Sequence, residues 1–167
     1  AASHVGRGSS FMLRLPAAGN PGTVPSDLDG LAADRNDYQQ RHVHYVEDNE
    51  TNVEVMRGIL AQRPQVQLDV SVTGLVGLAA IRARRPDVVL LDMHLPDISG
   101  LELLRHLKLD PGTRSIPVVA VSADALPAQI DDAFMAGAHR YLTKPVNVSE
   151  LLSVLDELLS QADTGFE

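Results

Sequence analysis

The sequence predicts an α/β protein: a doubly wound, five-stranded parallel sheet with helices on both faces. Three observations carry that expectation. Segments of strand type and helix type alternate five times between residues 42 and 161, and such alternation demands a parallel sheet covered by helices. The run Asp87-Val-Val-Leu-Leu-Asp92 is apolar throughout its interior, as a strand buried on both faces must be. The alternating part is about 120 residues long, enough to bury a real core without covalent staples.

Each element has its own justification. His42-Val-His-Tyr-Val-Glu47 is an apolar strand ending in acid. Asn49–Gln62 follows as a helix, with Val53, Met56, Ile59 and Leu60 on one face and Asn49 as its cap. Val66–Val72 is a strand, and Gly74–Arg84 a helix weakened by Gly74 and Gly77. After the strand Asp87–Asp92 come a loop with Pro96, a helix at Gly100–Leu109 and a strand at Ile116–Val121. The next helix runs over Ala125–Ala136, with Pro127 in its first turn and Gly137 closing it. A short strand, His139–Leu142, and the helix Val148–Gln161 complete the series. Right-handed crossovers bring every strand's C-terminal end to one edge, where ligands bind in this architecture.

The front of the chain has a different character. Residues 16–41 are rich in Pro, Gly, Asp and Ala without apolar periodicity, the composition of a flexible linker. Ahead of it, Ser10–Leu15 is one short strand with no evident partner. The net charge of −8 is uneven as well. Residues 1–41 sum to zero, and residues 42–167 carry ten basic and eighteen acidic side chains. That balance argues against nucleic acid as a partner, because phosphate neutralisation needs a basic surface. It also argues against direct contact with an anionic membrane. No apolar run approaches membrane-spanning length and no signal peptide is evident, so the expected location is cytoplasmic. With no cysteine in the chain, disulfides, thiolate metal sites and thiol catalysis are excluded.

Chemistry gathers at the strand ends. The first strand ends in Glu47-Asp48, the third in Asp92 and the fourth in Val121-Ser122, while Lys144-Pro145 follows the fifth. Lys144 is one of only two lysines in the chain. Crowded carboxylates repel by roughly 4 kcal/mol per pair at about 4 Å in a partly screened site, so a proton or a cation must relieve them. Oxygen ligands with room for water suit Mg²⁺. A phosphoryl group bound there can receive a hydrogen bond from Ser122 and neutralisation from Lys144. Asp92 ends the most buried strand and is the natural nucleophile for an acyl phosphate, leaving Glu47 and Asp48 as metal ligands. His42, His44, His106 and His139 show no metal-ligand spacing and read as structural or surface residues.

These residues bring in a resemblance. Residues 42–161 resemble the receiver domain of two-component response regulators through Glu47-Asp48, the stretch Leu90-Leu-Asp92-Met-His-Leu-Pro-Asp-Ile-Ser-Gly100, Val121-Ser122-Ala123 and Tyr141-Leu-Thr-Lys144-Pro145. The spacings fit too: Asp92 lies 44 residues after Asp48, Ser122 30 after Asp92, and Lys144 52 after Asp92. The resemblance implies a flavodoxin-like strand order, 2-1-3-4-5. It implies that Asp92 is phosphorylated from a phosphohistidine, with Mg²⁺ held by Glu47, Asp48, Asp92 and the backbone carbonyl of His94. It further implies that Ser122 and Tyr141 switch the surface of the fourth helix, fifth strand and fifth helix, which is also the face for a homodimer. His94 and Asp124, each two residues past a site residue, flank the phosphate and tune its lifetime. The donor would be a histidine kinase's phosphohistidine domain or a histidine phosphotransfer protein. The chain itself would catalyse only its own phosphorylation and dephosphorylation.

The wording Tyr45-Val-Glu-Asp-Asn49 and Ser122-Ala-Asp-Ala125 is similar to receivers fused to hybrid sensor histidine kinases, whose parent can be membrane-attached. Gly6-Arg-Gly-Ser-Ser-Phe11 through Pro16 resembles the end of a kinase ATPase domain. On that reading the chain holds a kinase remnant (1–15), a linker (16–41), the receiver (42–161) and a tail (162–167). Two alternatives stay open. One is a pseudo-receiver that serves only as an interaction module, although all five site groups are present. The other is an aspartyl phosphatase or phosphotransferase, which would carry a second acid where His94 stands.

Overall fold

A computed structural model of the protein describes residues 2–3, 9–10 and 40–161. The chain divides into two compact units, Ala1–Asp37 and Tyr38–Glu167. In the first, Ala2–Ser3 pairs antiparallel with Ser9–Ser10. The rest of the expected strand Ser10–Leu15, the linker up to residue 39 and the tail 162–167 lie outside the described residues.

In the second unit the elements alternate as β1 (Arg41–Val46), α1 (Glu50–Leu60), β2 (Val66–Ser71), α2 (Gly74–Arg84), β3 (Val88–Asp92), α3 (Gly100–Leu109), β4 (Val118–Ser122), α4 (Pro127–Met135), β5 (Arg140–Thr143) and α5 (Val148–Gln161). The strands form one parallel sheet in the order β2-β1-β3-β4-β5. Fold class and strand order are as expected.

Alternation along the strands divides the core in two. Val43 and Tyr45 of β1, Val88 and Leu90 of β3 and Val119 of β4 pack with α1 and α5. The intervening Val46, Val89, Leu91, Val118 and Ala120 pack with α2, α3 and α4. All five residues of β3 and of β4 are buried, because these strands lie inside the sheet with helices on both sides.

Element boundaries shift by a residue or two from the sequence reading, each for a local reason. β1 begins at Arg41, where the expected linker ends, because the Arg41 amide bonds the Gln65 carbonyl at 2.8 Å. α4 begins at Pro127 rather than residue 125, with proline in its first turn and no side-chain cap on Leu126. Gly137 follows it with φ 103°. Asn49 caps α1 as expected, its side chain accepting from the Thr51 amide at 2.9 Å.

α2 revises one expectation. Gly77 was expected to weaken the helix, yet a Cβ there would meet Val46 Cγ2 at 2.8 Å. Its bareness lets α2 lie against β1. A second device holds the same helix: Asp97, in the loop after β3, accepts from the amides of Gly74 at 2.7 Å and Leu75 at 2.8 Å. This carboxylate stands where the helix dipole and unpaired amides favour negative charge.

Candidate functional site

The parallel sheet delivers Glu47, Asp48, Asp92, Ser122 and Lys144 to one edge. Glu47 and Asp48 follow β1, Asp92 and Ser122 are the last residues of β3 and β4, and Lys144 follows β5. Lys144 is joined to Pro145 by a cis peptide bond, and its amide bonds the Ser122 carbonyl at 2.8 Å. The Lys144 ammonium lies between two buried carboxylates, 2.7 Å from Glu47 Oε2 and 2.7 Å from Asp92 Oδ2. Glu47 is fully buried and Asp92 is 5% exposed, whereas Asp48 is exposed.

Glu47 is surrounded by donors. Tyr45 donates its hydroxyl proton to Oε2 at 2.6 Å, and the Asn49 amide donates to Oε1 at 3.1 Å. The Asn52 side chain adds another hydrogen bond. Burial alone would push this carboxyl up, but the bonds from Lys144, Tyr45, Asn52 and the Asn49 amide outweigh it and hold Glu47 below the usual range. Asp92 goes the other way. Burial raises it, and the nearby Glu47 charge adds to that, against the His94 amide and Lys144. Lys144 pays a desolvation cost, but its bonds to Asp92 and Glu47 more than compensate and keep it charged. The phenol of Tyr45 is pushed well up by burial and by its carboxylate partner.

Glu47, Asp48 and Asp92 each offer an oxygen, all within 4.8 Å of one another. Three hard oxygens, one of them on an exposed side chain, fit a hard divalent cation that retains water. Glu47 faces Lys144, Tyr45, the Asn49 amide and Asn52 as donors at the same time. The remaining predicted residues surround the mouth. His94 donates its amide to Asp92 Oδ1 at 2.9 Å, and its ring Nε2 lies 3.3 Å from Asp124 Oδ2. Ser122 Oγ accepts the Asp124 amide at 3.1 Å, and Tyr141 donates its hydroxyl to the Asp124 carbonyl at 2.7 Å. His94, Ser122 and Tyr141 line one cavity of about 170 Å³ together with Met93, Leu101 and Gln129.

Every residue that the sequence singled out is therefore at or beside this edge. Tyr45 was missed as a site residue. Its signal was available, since side chains two apart on a strand share a face and Tyr45 stands two before Glu47.

Residues 43–156 match the response regulator receiver domain family. The chain belongs to that family. This receiver is 34% identical over 122 residues to the polar-differentiation response regulator DivK of Brucella anthropi, covering 73% of this chain and 98% of DivK. Among solved structures it resembles the receiver domain of sensor histidine kinase PA1611 from Pseudomonas aeruginosa PAO1, which has a magnesium ion coordinated in its active site cleft. There the TM-score is 0.66 and the identity 26%, over 72% of this chain and 98% of that one. It also resembles the phosphorylated cyanobacterial phytochrome response regulator RcpA, with TM-score 0.63 and 28% identity over 71% and 91% of the two chains. The receiver is thus a domain of two-component systems. Among the described residues, no helix is long and apolar enough to cross a membrane.

Proposed function

We propose that this receiver accepts a phosphoryl group on Asp92 from a phosphohistidine, in a reaction that needs Mg²⁺. The observation that carries the reading is the Lys144 ammonium set 2.7 Å from both Glu47 and Asp92, beside a cluster of carboxylates suited to a divalent cation. A carboxylate oxygen of Asp92 forms the new P–O bond. The P–N bond of the donor breaks, and the imidazole nitrogen keeps the electron pair and takes up a proton. Mg²⁺, when bound, neutralises charge on the phosphoryl oxygens. Glu47, Asp48 and Asp92 would hold it, with the His94 carbonyl.

The chain's own groups do the rest. The His94 amide fixes the Asp92 carboxylate through Oδ1. Lys144, its side chain 19% exposed, meets charge on the phosphoryl group, where such a contact is stronger than in open water. Ser122 accepts the Asp124 amide, which leaves its own proton to donate to a phosphoryl oxygen. Recruiting Ser122 would pull on Asp124, whose carbonyl holds the Tyr141 hydroxyl. That shared residue supports a Ser122–Tyr141 switch of the α4–β5–α5 face, the face we also propose for a homodimer. The His94–Asp124 pair spans the mouth and supports the tuning role of both residues.

We assign the domain to the C-terminal part of a hybrid sensor kinase, with residues 1–15 as kinase remnant, 16–41 as linker, 42–161 as receiver and 162–167 as tail. The likeness to the receiver of a sensor kinase supports this. The likeness to DivK, of which the chain covers 98%, supports a free-standing regulator instead. Incubation with acetyl phosphate and Mg²⁺ should add the mass of one phosphoryl group to the protein. Labelling that survives Asp92→Asn would defeat the reading of Asp92 as phosphoacceptor, and an unlabelled wild type would favour a pure interaction module.

A further inference from the structure

One hydroxyl at the site has no part in the transfer described above: that of Tyr45. Its ring is 1% exposed and packs in the core between the sheet, α1 and α5. A phenol buried this deeply needs a hydrogen-bond partner. It finds one of the two carboxylate oxygens that hold the ammonium, since Tyr45 OH and Lys144 Nζ both donate to Glu47 Oε2, at 2.6 and 2.7 Å. With the Asn49 amide and Asn52 on the carboxylate as well, Glu47 is gripped from its own strand, from the following loop and helix, and from the loop after β5.

Lys144 is placed differently. It bridges a gripped carboxylate, Glu47, and a carboxylate that must react, Asp92. Once a phosphoryl group arrives at Asp92, the ammonium has to exchange its Asp92 contact for a phosphoryl oxygen. That exchange is short if its other end stays still. We propose that Tyr45 is a positioning residue for phosphoryl transfer: its hydroxyl holds the Glu47 carboxylate as the fixed anchor from which Lys144 turns from Asp92 to the phosphoryl group. The proposal rests on the phosphoacceptor reading above.

Two physical effects support it. The terminal torsion of a glutamate is broad, so a Glu47 that lost one donor would turn with Lys144 rather than hold it. The Tyr45 proton also shares the charge on Oε2, which loosens the ammonium enough to move. Tyr45→Phe removes both effects and leaves the ring to fill the core.

The test uses the full chain, with acetyl phosphate as donor and mass gain on Asp92 as the readout. Tyr45→Phe should slow phosphorylation at saturating Mg²⁺ by about tenfold, the low end for a hydrogen bond to a charged group. The Mg²⁺ concentration giving half of the metal-induced rise in Tm should stay within about twofold of wild type. With only two lysines in the chain, ¹⁵N-lysine labelling should show the Lys144 side-chain signal shifted by the substitution and that of Lys108 unmoved. In a Glu47→Gln background, Tyr45→Phe should slow the reaction no further, since the two act as a unit. A variant that labels at the wild-type rate, or that slows equally in both backgrounds, would overturn the role of Tyr45. A wild type that gains no phosphoryl group would overturn the phosphoacceptor reading itself, a result visible before any variant is made.

Discussion

Glu47 and Asp92 are both buried carboxylates at one sheet edge, yet their partners push them apart. Glu47 is held ionised by Lys144, Tyr45, Asn52 and the Asn49 amide, while burial and the Glu47 charge raise Asp92. Lys144 is the cation common to both, so removing it leaves two buried negative charges with no counter-ion. Lys144→Ala should destabilise the apo protein by about 3 kcal/mol at pH 7, the usual cost of breaking a buried pair from one side. The sign of the pH dependence follows. Without Lys144 the already raised Asp92 carboxyl rises further and Glu47 loses the cation that holds it down, so the variant keeps its stability in acid and loses it as pH rises through the usual carboxylate range. Urea denaturation at pH 4 and pH 7 should show the deficit shrinking in acid, and an equal deficit at both would contradict the pairing. His44 gives the opposite slope. It is 3% exposed, its Nε2 lies 2.9 Å from Ser71 Oγ, and burial lowers its pKa against the pull of Asp69. The neutral form therefore belongs to the folded state. The protein should lose stability as pH falls from the usual histidine value of 6.5 towards the depressed one. His44→Asn should flatten that part of the stability profile.

At the scale of elements, the loop after β3 carries more than the nucleophile. It closes on α3 through Gly100, whose amide bonds the Met93 carbonyl at 3.1 Å. A Cβ at Gly100 would run into the backbone oxygen of Asp92 and would lie 2.6 Å from Met93 Cα. Backbone cannot move aside as a side chain can. Gly100→Ala should therefore displace the turn that presents Asp92, cutting acetyl phosphate labelling at least about tenfold and lowering Tm. Labelling at the wild-type rate would show the turn to be more yielding than this. The same loop holds α2 through Asp97, 23 residues beyond Gly74. Long-range contacts of this kind mark the limit of what the sequence tells. Strand and helix periods are local and were legible, down to the Asn49 cap and the unshifted bounds of α2, α3 and α5. The charged site was legible as well, because a parallel sheet must gather its strand ends. Gly77 read as a weakness because its neighbour, Val46, is remote in sequence. Tyr45 stood in the sequence only as part of an apolar strand for a related reason: its ring is core, and only its last atom belongs to the site.

For the whole molecule, the edge of the sheet is a place where stability gives way to chemistry. Both cores are closed and apolar, and the fold has no structural need for a buried acid at the end of β3. Asp92 is nevertheless raised above the usual carboxylate range by burial and the Glu47 charge, so its ionised form opposes folding. Functional sites are commonly held at such a cost, which neutral substitutions relieve. Asp92→Asn keeps an oxygen for the His94 amide and leaves Lys144 with Glu47, removing only the surplus charge. Without Mg²⁺ the variant should be more stable than wild type by on the order of 1 kcal/mol, read as a higher Tm at pH 7. Mg²⁺ should raise the wild-type Tm by binding the folded state alone, and should do so much less in Asp92→Asn, which lacks one of the charges that draw the cation. The two measurements constrain each other. If Asp92→Asn is no more stable than wild type without metal, Lys144 already neutralises the cluster and the attraction for Mg²⁺ must come chiefly from Asp48. An equal Mg²⁺ response in both proteins would then place the cation away from Asp92, and the phosphoacceptor site would have to be drawn again around Asp48.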